Sequence, residues 1–437
     1  MTRLSRTART ATDGTSVQVE VWAVIDAQDV AAGTLHAHRR RGSESATFAY
    51  APQYLSNSAA YALDPALPLS SGSYQTPAGK PMFGAFRDCA PDRWGRTLVD
   101  RREAALAREQ GRTARSLGEI DYLLGVRDDL RQGALRFRDP AKPGHDDDIR
   151  PFLAVATMGV SALTDLPVLL DLADRADRNT AGLPDLQRLI RIGSSLGGAR
   201  PKAHVIDANG RVAIAKFPSP SQDTWNVMRW EKVALDLAKD AGIDVPPSRV
   251  LNLAGRSVLV VDRFDRTAAR DRVGYVSAMT MLEASDGDER SYLEIAEVLE
   301  TASNRSTADL HQLWRRIVFS VLISNTDDHL RNHGFLHQRA DVWRLAPAFD
   351  LNPNPAPGTK YLSTAIDTAD TEARLDTALA VAADYFRLSD ERARSVVREI
   401  GAVVGRWRET AAGHGLSSPE ITAMAPAFAA LDDIDDL

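Results

Sequence analysis

Asn325-Thr-Asp-Asp-His-Leu-Arg-Asn332, followed after one hairpin-like interval by Phe349-Asp350, is the stretch on which the reading of this chain turns. Asp327 and Asn332 stand five positions apart. At that spacing one short loop can aim a carboxylate at a substrate hydroxyl and an amide oxygen at a metal ion. Asp350 supplies a second metal ligand. Phosphoryl transfer needs this set: one carboxylate to orient a hydroxyl and accept its proton, and oxygen ligands from two segments to hold Mg²⁺ against phosphates.

Working upstream, Leu310, Leu313, Trp314, Ile317, Val318, Val321 and Leu322 fit the i, i+3, i+4, i+7 stripe of a buried helix. The pattern ends just before Asn325, so a rigid element is expected to deliver the acidic loop. Farther upstream, Ser194-Ser-Leu-Gly-Gly-Ala-Arg-Pro-Lys202 is a small-residue loop leading into a strand-like run. Ser195, Gly197, Gly198 and Ala199 would let backbone N–H groups approach phosphates closely, and Lys202 would add charge. The loop is neither a Walker A sequence nor Gly-x-Gly-x-x-Gly, and a plain β-turn with two glycines is the alternative.

Val212-Ala-Ile-Ala-Lys216 reads as a strand with a lysine in its apolar run, suited to the α- and β-phosphates of a nucleotide or, alternatively, to guarding a sheet edge. Trp225 to Ala241 reads as a helix with Val227, Trp230, Ala234 and Leu237 on one face and Gly242 at the C′ position. Glu231 lies beside that face, where it would either hold Lys216 as an ion pair or sit solvated. Ser257 to Asp262 is an apolar strand turning polar, and Asp262 to Phe264 are placed to act as an adenine hinge. Any buried strand running into a loop would look the same. His329 and His333 lack the glutamate and thiolates of a zinc motif, so His329 is expected to brace the loop through a hydrogen bond.

At 437 residues the chain is too long for one core, and 44% hydrophobic with 26% charged residues is ordinary for a folded soluble protein. A net charge of −6 argues against broad nucleic-acid binding by the chain itself. Cys89 is the sole cysteine, which excludes a disulfide framework and fits a reducing cytoplasm. No run of 18 apolar residues is present to span a membrane. Three parts are expected: a strand-rich start with a charged helical pattern after it (1–138), a lobe carrying the Ser/Gly loop and the lysine strand (152–265), and a helical lobe with the acidic loop (266–437). The stretch from Asp139 to Pro151 reads as a solvent loop, and Thr371 to Leu431 as Ala-rich helix.

Taken in order, Ser195-Leu-Gly-Gly-Ala-Arg-Pro-Lys, Ala215-Lys216-Phe-Pro, Asp262-Arg-Phe-Asp-Arg, Asn325-Thr-Asp-Asp-His-Leu-Arg-Asn-His-Gly and Ala348-Phe-Asp350-Leu resemble the HipA family of toxin kinases. Ala66-Leu-Pro-Leu-Ser70 and Arg87-Asp-Cys-Ala-Pro-Asp-Arg-Trp-Gly look like that family's N-terminal subdomain. The resemblance implies an α+β, bilobal protein-kinase-like fold and a serine/threonine-protein kinase that uses ATP and Mg²⁺. It also implies a HipB-like helix-turn-helix antitoxin as partner, operator DNA reached through that antitoxin, and a protein substrate; aminoacyl-tRNA synthetases are targets known in the family. Asp327 is then the catalytic base, Asn332 and Asp350 the Mg²⁺ ligands, Lys216 the phosphate contact and Ser195 an autophosphorylation site. Arg200-Pro201 departs from the Gln-Glu of many members, and Arg331 from a frequent lysine. A small-molecule phosphotransferase shares Asp-x₄-Asn but normally has His where Asn325 stands; a non-catalytic kinase fold would not keep every catalytic position filled.

Overall fold

A computed structural model describes residues 16–40, 42–140, 161–193 and 200–436. It is of the α+β class, and its chain segments divide between two compact units. The first comprises residues 1–212 with 265–276 and 339–341; the second comprises 213–264, 277–338 and 342–437.

In the first unit, alternation builds the sheet. Val19, Val21, Ala23 and Ile25 of β1 (Ser16–Ile25) are buried while the residues between them are not, which fits a strand with one face on the core. Asp26 and Ala27 both adopt positive φ, the requirement of a type I′ turn, and this tight hairpin sets the register with β2 (Gln28–Arg40). With β3 (Ser43–Tyr50), β4 (Tyr74–Gln75) and β5 (Leu135–Arg138) the order is β4-β3-β2-β1-β5, every pair antiparallel. Gly33 is required here: a Cβ at that position would lie 2.2 Å from the Ala49 carbonyl oxygen. Phe48, Phe86 and Phe137 pack edge-on beneath the sheet.

The charged helix expected after Phe83 is Arg93–Glu109, capped by Asp92, whose carboxylate accepts from the Gly95 amide at 2.6 Å. Arg131 is fully buried and donates to the carbonyls of Cys89, Leu123 and Val126, so its charge is met by the C-terminal carbonyls of two short helices. A later stretch of chain joins this unit as well: Asp265 accepts from the Gly133 amide at 2.8 Å, and Arg266 donates to the Arg131 carbonyl at 2.8 Å. The pair β6 (Ser161–Ala162) and β7 (Lys202–Ile206) is parallel. Most of the expected solvent loop from Asp139 to Pro151 lies outside the described residues.

In the second unit, β8 (Val212–Lys216) pairs antiparallel with β10 (Arg256–Asp262), which pairs antiparallel with β9 (Ser248–Leu253). Helix Val227–Asp240 lays its apolar face on this sheet. Asn226 caps its start, and Gly242 turns its end with φ +74°, where an L side chain would be strained. Helix Ser306–Leu322 runs through the core with all seven residues of the apolar stripe buried. Around it pack Tyr292–Ala302, Leu375–Ala380, Ala382–Phe386 and Asp390–Val404, and the Trp314 indole donates to the Ala378 carbonyl at 3.0 Å. From Leu375 onward the regular elements among the described residues are helices, as the alanine content implies. No helix among the described residues is long and apolar enough to cross a membrane.

Candidate active site

Lys216, at the end of β8, reaches Glu231 on helix Val227–Asp240 at 2.6 Å and Asp350 at 2.7 Å. The Glu231 side chain is only 2% exposed, so the ammonium is its compensation, and the pair resists replacement by water. Burial alone would pull the Lys216 pKa down; the carboxylates of Asp350 and Glu231 outweigh it and hold the ammonium above its usual range. Asp350 sits in left-handed backbone with φ 60°, a conformation that costs a non-glycine residue energy and persists only where neighbours impose it. Asn352 supplies part of that constraint by donating to Asp350 Oδ1 at 3.3 Å, while its own amide N–H donates to Asn325 Oδ1 at 3.1 Å.

The acidic loop leaves helix Ser306–Leu322 through Ser324, also left-handed at φ 50°. Asp327 is exposed at its tip. Its carbonyl accepts from the His329 amide at 2.9 Å and from Asn332 Nδ2 at 3.0 Å. Asn332 is buried, and with its NH₂ end engaged in this way, Oδ1 is the end left for a cation.

Beneath the tip lies a network that sequence reading did not find. Asp328, 4% exposed in its side chain, accepts from the Tyr292 hydroxyl at 2.6 Å and the Ser320 hydroxyl at 3.0 Å, and lies 3.0 Å from His333 Nε2. Burial pushes its pKa up, yet the charge of His333 and hydrogen bonds from His333, Tyr292 and Ser320 outweigh burial and leave it below the ordinary carboxylate range. The Thr364 hydroxyl donates to the Asp328 carbonyl at 2.7 Å, and Ser363 donates both N–H and hydroxyl to the Thr326 carbonyl. His329 braces the loop through its backbone, its amide donating to the Asp327 carbonyl at 2.9 Å while its ring Nδ1 is buried with no hydrogen-bond partner; the His333 ring lies 3.0 Å from the Asp328 carboxylate. This network has no signal in a short motif, because Tyr292 and Thr364, which bond Asp328, each lie 36 residues from it.

The remaining sequence candidates are placed as follows. Ser195, Gly197, Gly198 and Ala199 lie outside the described residues. Lys202 belongs to the first unit, where its ammonium meets the cap residue Asp92 at 2.5 Å with both side chains 4% exposed; its charge is committed to that helix cap. Asp262 ends β10; its amide donates to the Pro247 carbonyl at 2.8 Å and its carboxylate pairs with Arg249 at 3.3 Å. The ring of Phe264 packs on that of Phe349 with centroids 5.4 Å apart, joining the expected hinge to the residue before Asp350.

No group of three His, Cys, Asp or Glu side chains suited to a metal occurs among the described residues. Mg²⁺ beside a nucleotide is commonly held by one or two protein oxygens, with phosphates and water completing its octahedron; an amide and a carboxylate such as those of Asn332 and Asp350 fit that chemistry and would be the residues to hold it.

A strand lysine paired with a helix glutamate, a left-handed aspartate on a second segment, and an acidic loop with its amide five residues on define a kinase-like fold and site. The HipA N-terminal domain model matches residues 23–119 and the HipA-like C-terminal domain model matches residues 194–407, together more than two thirds of the chain. The chain belongs to the HipA family of toxin kinases. A kinase-named protein of Haemophilus influenzae is 26% identical over 187 residues, 36% of this chain and 52% of that protein. The kinase-named protein Y4dM of Sinorhizobium fredii is 31% identical over 146 residues, 30% of this chain and 35% of that protein. The matched regions thus span about half or less of these relatives. Among solved structures, HipA of Shewanella oneidensis MR-1, in complex with HipB and operator DNA, matches with TM-score 0.63 at 15% identity, covering 96% of this chain and 99% of that one. At that identity the likeness speaks for the fold.

Proposed function

We propose that this chain is a serine/threonine-protein kinase toxin that uses ATP and Mg²⁺ to phosphorylate a cellular protein. The observation that carries the reading is the Lys216 ammonium held at 2.6 Å by Glu231 and at 2.7 Å by Asp350. Bound ATP–Mg²⁺ supplies the transferable phosphoryl group and the cation that neutralises its oxygens. Lys216, fixed by Glu231, meets the α- and β-phosphates without reorganising at the moment of transfer. Asn332 and Asp350 present oxygens to the cation, while Asp327 orients the acceptor hydroxyl and takes its proton. Asp328, buried under the tip, keeps Asp327 and Asn332 in register through the loop backbone.

The same reading extends to regulation and partners. Ser195 is the expected autophosphorylation site; a phosphate there places close to two negative charges where those of ATP must sit, which switches transfer off. A HipB-like helix-turn-helix antitoxin neutralises the chain and carries it to operator DNA, a reading supported by the complex that HipA of Shewanella oneidensis MR-1 forms with HipB and its operator. The expected substrate class is an aminoacyl-tRNA synthetase. Incubation with radiolabelled ATP and Mg²⁺, alone and with cell lysate, tests the proposal: labelled protein should appear with wild type and vanish with Asp350→Ala, whereas label confined to small molecules would point to a small-molecule phosphotransferase.

A further inference from the structure

Tyr361 is the most exposed large hydrophobic residue among those described, at 58%, and it sits in a segment anchored to the acidic loop. Its partner across an isolated antiparallel bridge is Glu372. The two backbone bonds around the bridge, Leu362 amide to Thr371 carbonyl at 2.7 Å and Ala373 amide to Lys360 carbonyl at 2.9 Å, flank the pair instead of joining it. That is the non-hydrogen-bonded kind of antiparallel pair, in which the backbones come to about 4.5 Å and facing side chains are closest. An aromatic face and a carboxylate are therefore held side by side at the surface.

The surrounding charges are accounted for. Lys360 turns its ammonium onto the carbonyls of Asn354, at 3.0 Å, and Ala356, closing the Pro-rich loop on itself. Arg374 is paired with Asp376. Asp367 and Asp370 cap turns in the same segment, through the amides of Ala369, Asp370 and Glu372. The local field is negative, and the basic groups near it are occupied.

Two residues beyond Tyr361, Ser363 bonds the Thr326 carbonyl at 3.1 Å through its amide. Two residues of chain cover at most about 7 Å, so the Tyr361/Glu372 pair stands within roughly 10–13 Å of the Asp327 backbone. An extended peptide crosses that gap in three or four residues.

We propose that Tyr361 and Glu372 form a specificity site of the kinase, gripping a lysine or arginine of the protein substrate within about four residues of the phosphorylated hydroxyl. The aromatic face takes the cation by cation–π attraction and Glu372 pairs with its charge. This rests on the kinase reading above and adds the chemistry of the substrate segment.

The test is a positional-scanning peptide library with a fixed Ser acceptor, radiolabelled ATP and Mg²⁺, run with wild type, Tyr361→Leu and Glu372→Gln. Wild type should select Lys or Arg over neutral residues by about tenfold at one position near the acceptor, the size expected of a partly desolvated cation–π contact. Both variants should flatten that position to under about threefold through a raised KM, with kcat on a neutral peptide and nucleotide affinity unchanged. A wild-type profile without a basic preference, a preference that survives in both variants, or label confined to the enzyme itself would overturn the specificity site while leaving the kinase reading intact. Absence of any transfer by wild type, to peptides or to itself, would overturn both.

Discussion

Removing the Lys216 side chain beyond its methylenes, as in Lys216→Met, leaves Glu231 and Asp350 facing each other without the ammonium that joined them at 2.6 and 2.7 Å. Breaking a buried ion pair from one side costs about 3–5 kcal/mol, because the surviving charge stays desolvated. Glu231 at 2% exposure cannot rehydrate, whereas Asp350 at 26% can, which favours the lower end, about 3 kcal/mol. For a folding unit of this size each kcal/mol moves the thermal midpoint by about 2–4 °C, so the variant should melt roughly 6–12 °C below wild type in differential scanning fluorimetry. The companion Lys216→Met/Glu231→Leu removes the orphaned carboxylate as well. It should recover at least half of the loss, since the two sites share one interaction and their effects do not add. Phosphoryl transfer should fall by about 100-fold or more in both variants, because the phosphate contact is gone in each. A single variant melting within about 2 °C of wild type, or a double variant less stable than the sum of its parts, would refute the buried-pair reasoning.

Asp328 gives a prediction with a pH sign. Its folded pKa lies below the ordinary value, so the native state binds fewer protons there than the unfolded chain, and the stabilisation is complete above the carboxylate range and lost as pH falls through it. The melting gap between wild type and Asp328→Asn should therefore begin to shrink as pH falls below about 5 and go on shrinking below the ordinary carboxylate pKa; a gap that widens on acidification contradicts the network. Mass spectrometry after incubation with ATP should find phosphate on Ser195, and Ser195→Asp should be inactive; phosphate only elsewhere, with that variant fully active, sinks the regulatory reading. With a net charge of −6, the toxin alone should show at most weak, salt-sensitive binding to operator DNA, and the complex with antitoxin tight binding; equal affinities in a gel-shift assay would overturn that division.

What the sequence made legible was whatever lies on one element or at a fixed short spacing. The stripe from Leu310 to Leu322 foretold the helix that delivers the acidic loop, and the strand-rich start expected ahead of the charged helical pattern is the first sheet. The Lys216–Glu231 pairing was open to inference because a strand lysine and a helix acid 15 residues apart are the ends of one strand–helix unit. Contacts between distant segments left no such trace. Nothing in the composition of Asp265–Val276 announces that it joins the first unit, yet Asp265 meets Gly133 across 132 positions. Lys202, read as a charge for phosphates, is engaged by Asp92, 110 positions away, because a buried helix cap needed a counter-charge. The left-handed φ of Ser324 was equally silent, and that of Asp350 nearly so, since aspartate only modestly favours such a conformation. Tyr361 and Glu372 become a pair only through the bridge between them.

The most direct test of the account is transfer of labelled phosphate by purified wild type and Asp327→Ala, with circular dichroism and melting to confirm that both are folded. Asp327 is exposed at the loop tip, so Asp327→Ala is expected to leave the fold intact. Loss of the general base should lower transfer by about 10²–10⁴-fold with the melting midpoint unchanged. A folded Asp327→Ala protein that transfers phosphate within about tenfold of wild type would contradict the assignment of this loop as the catalytic centre.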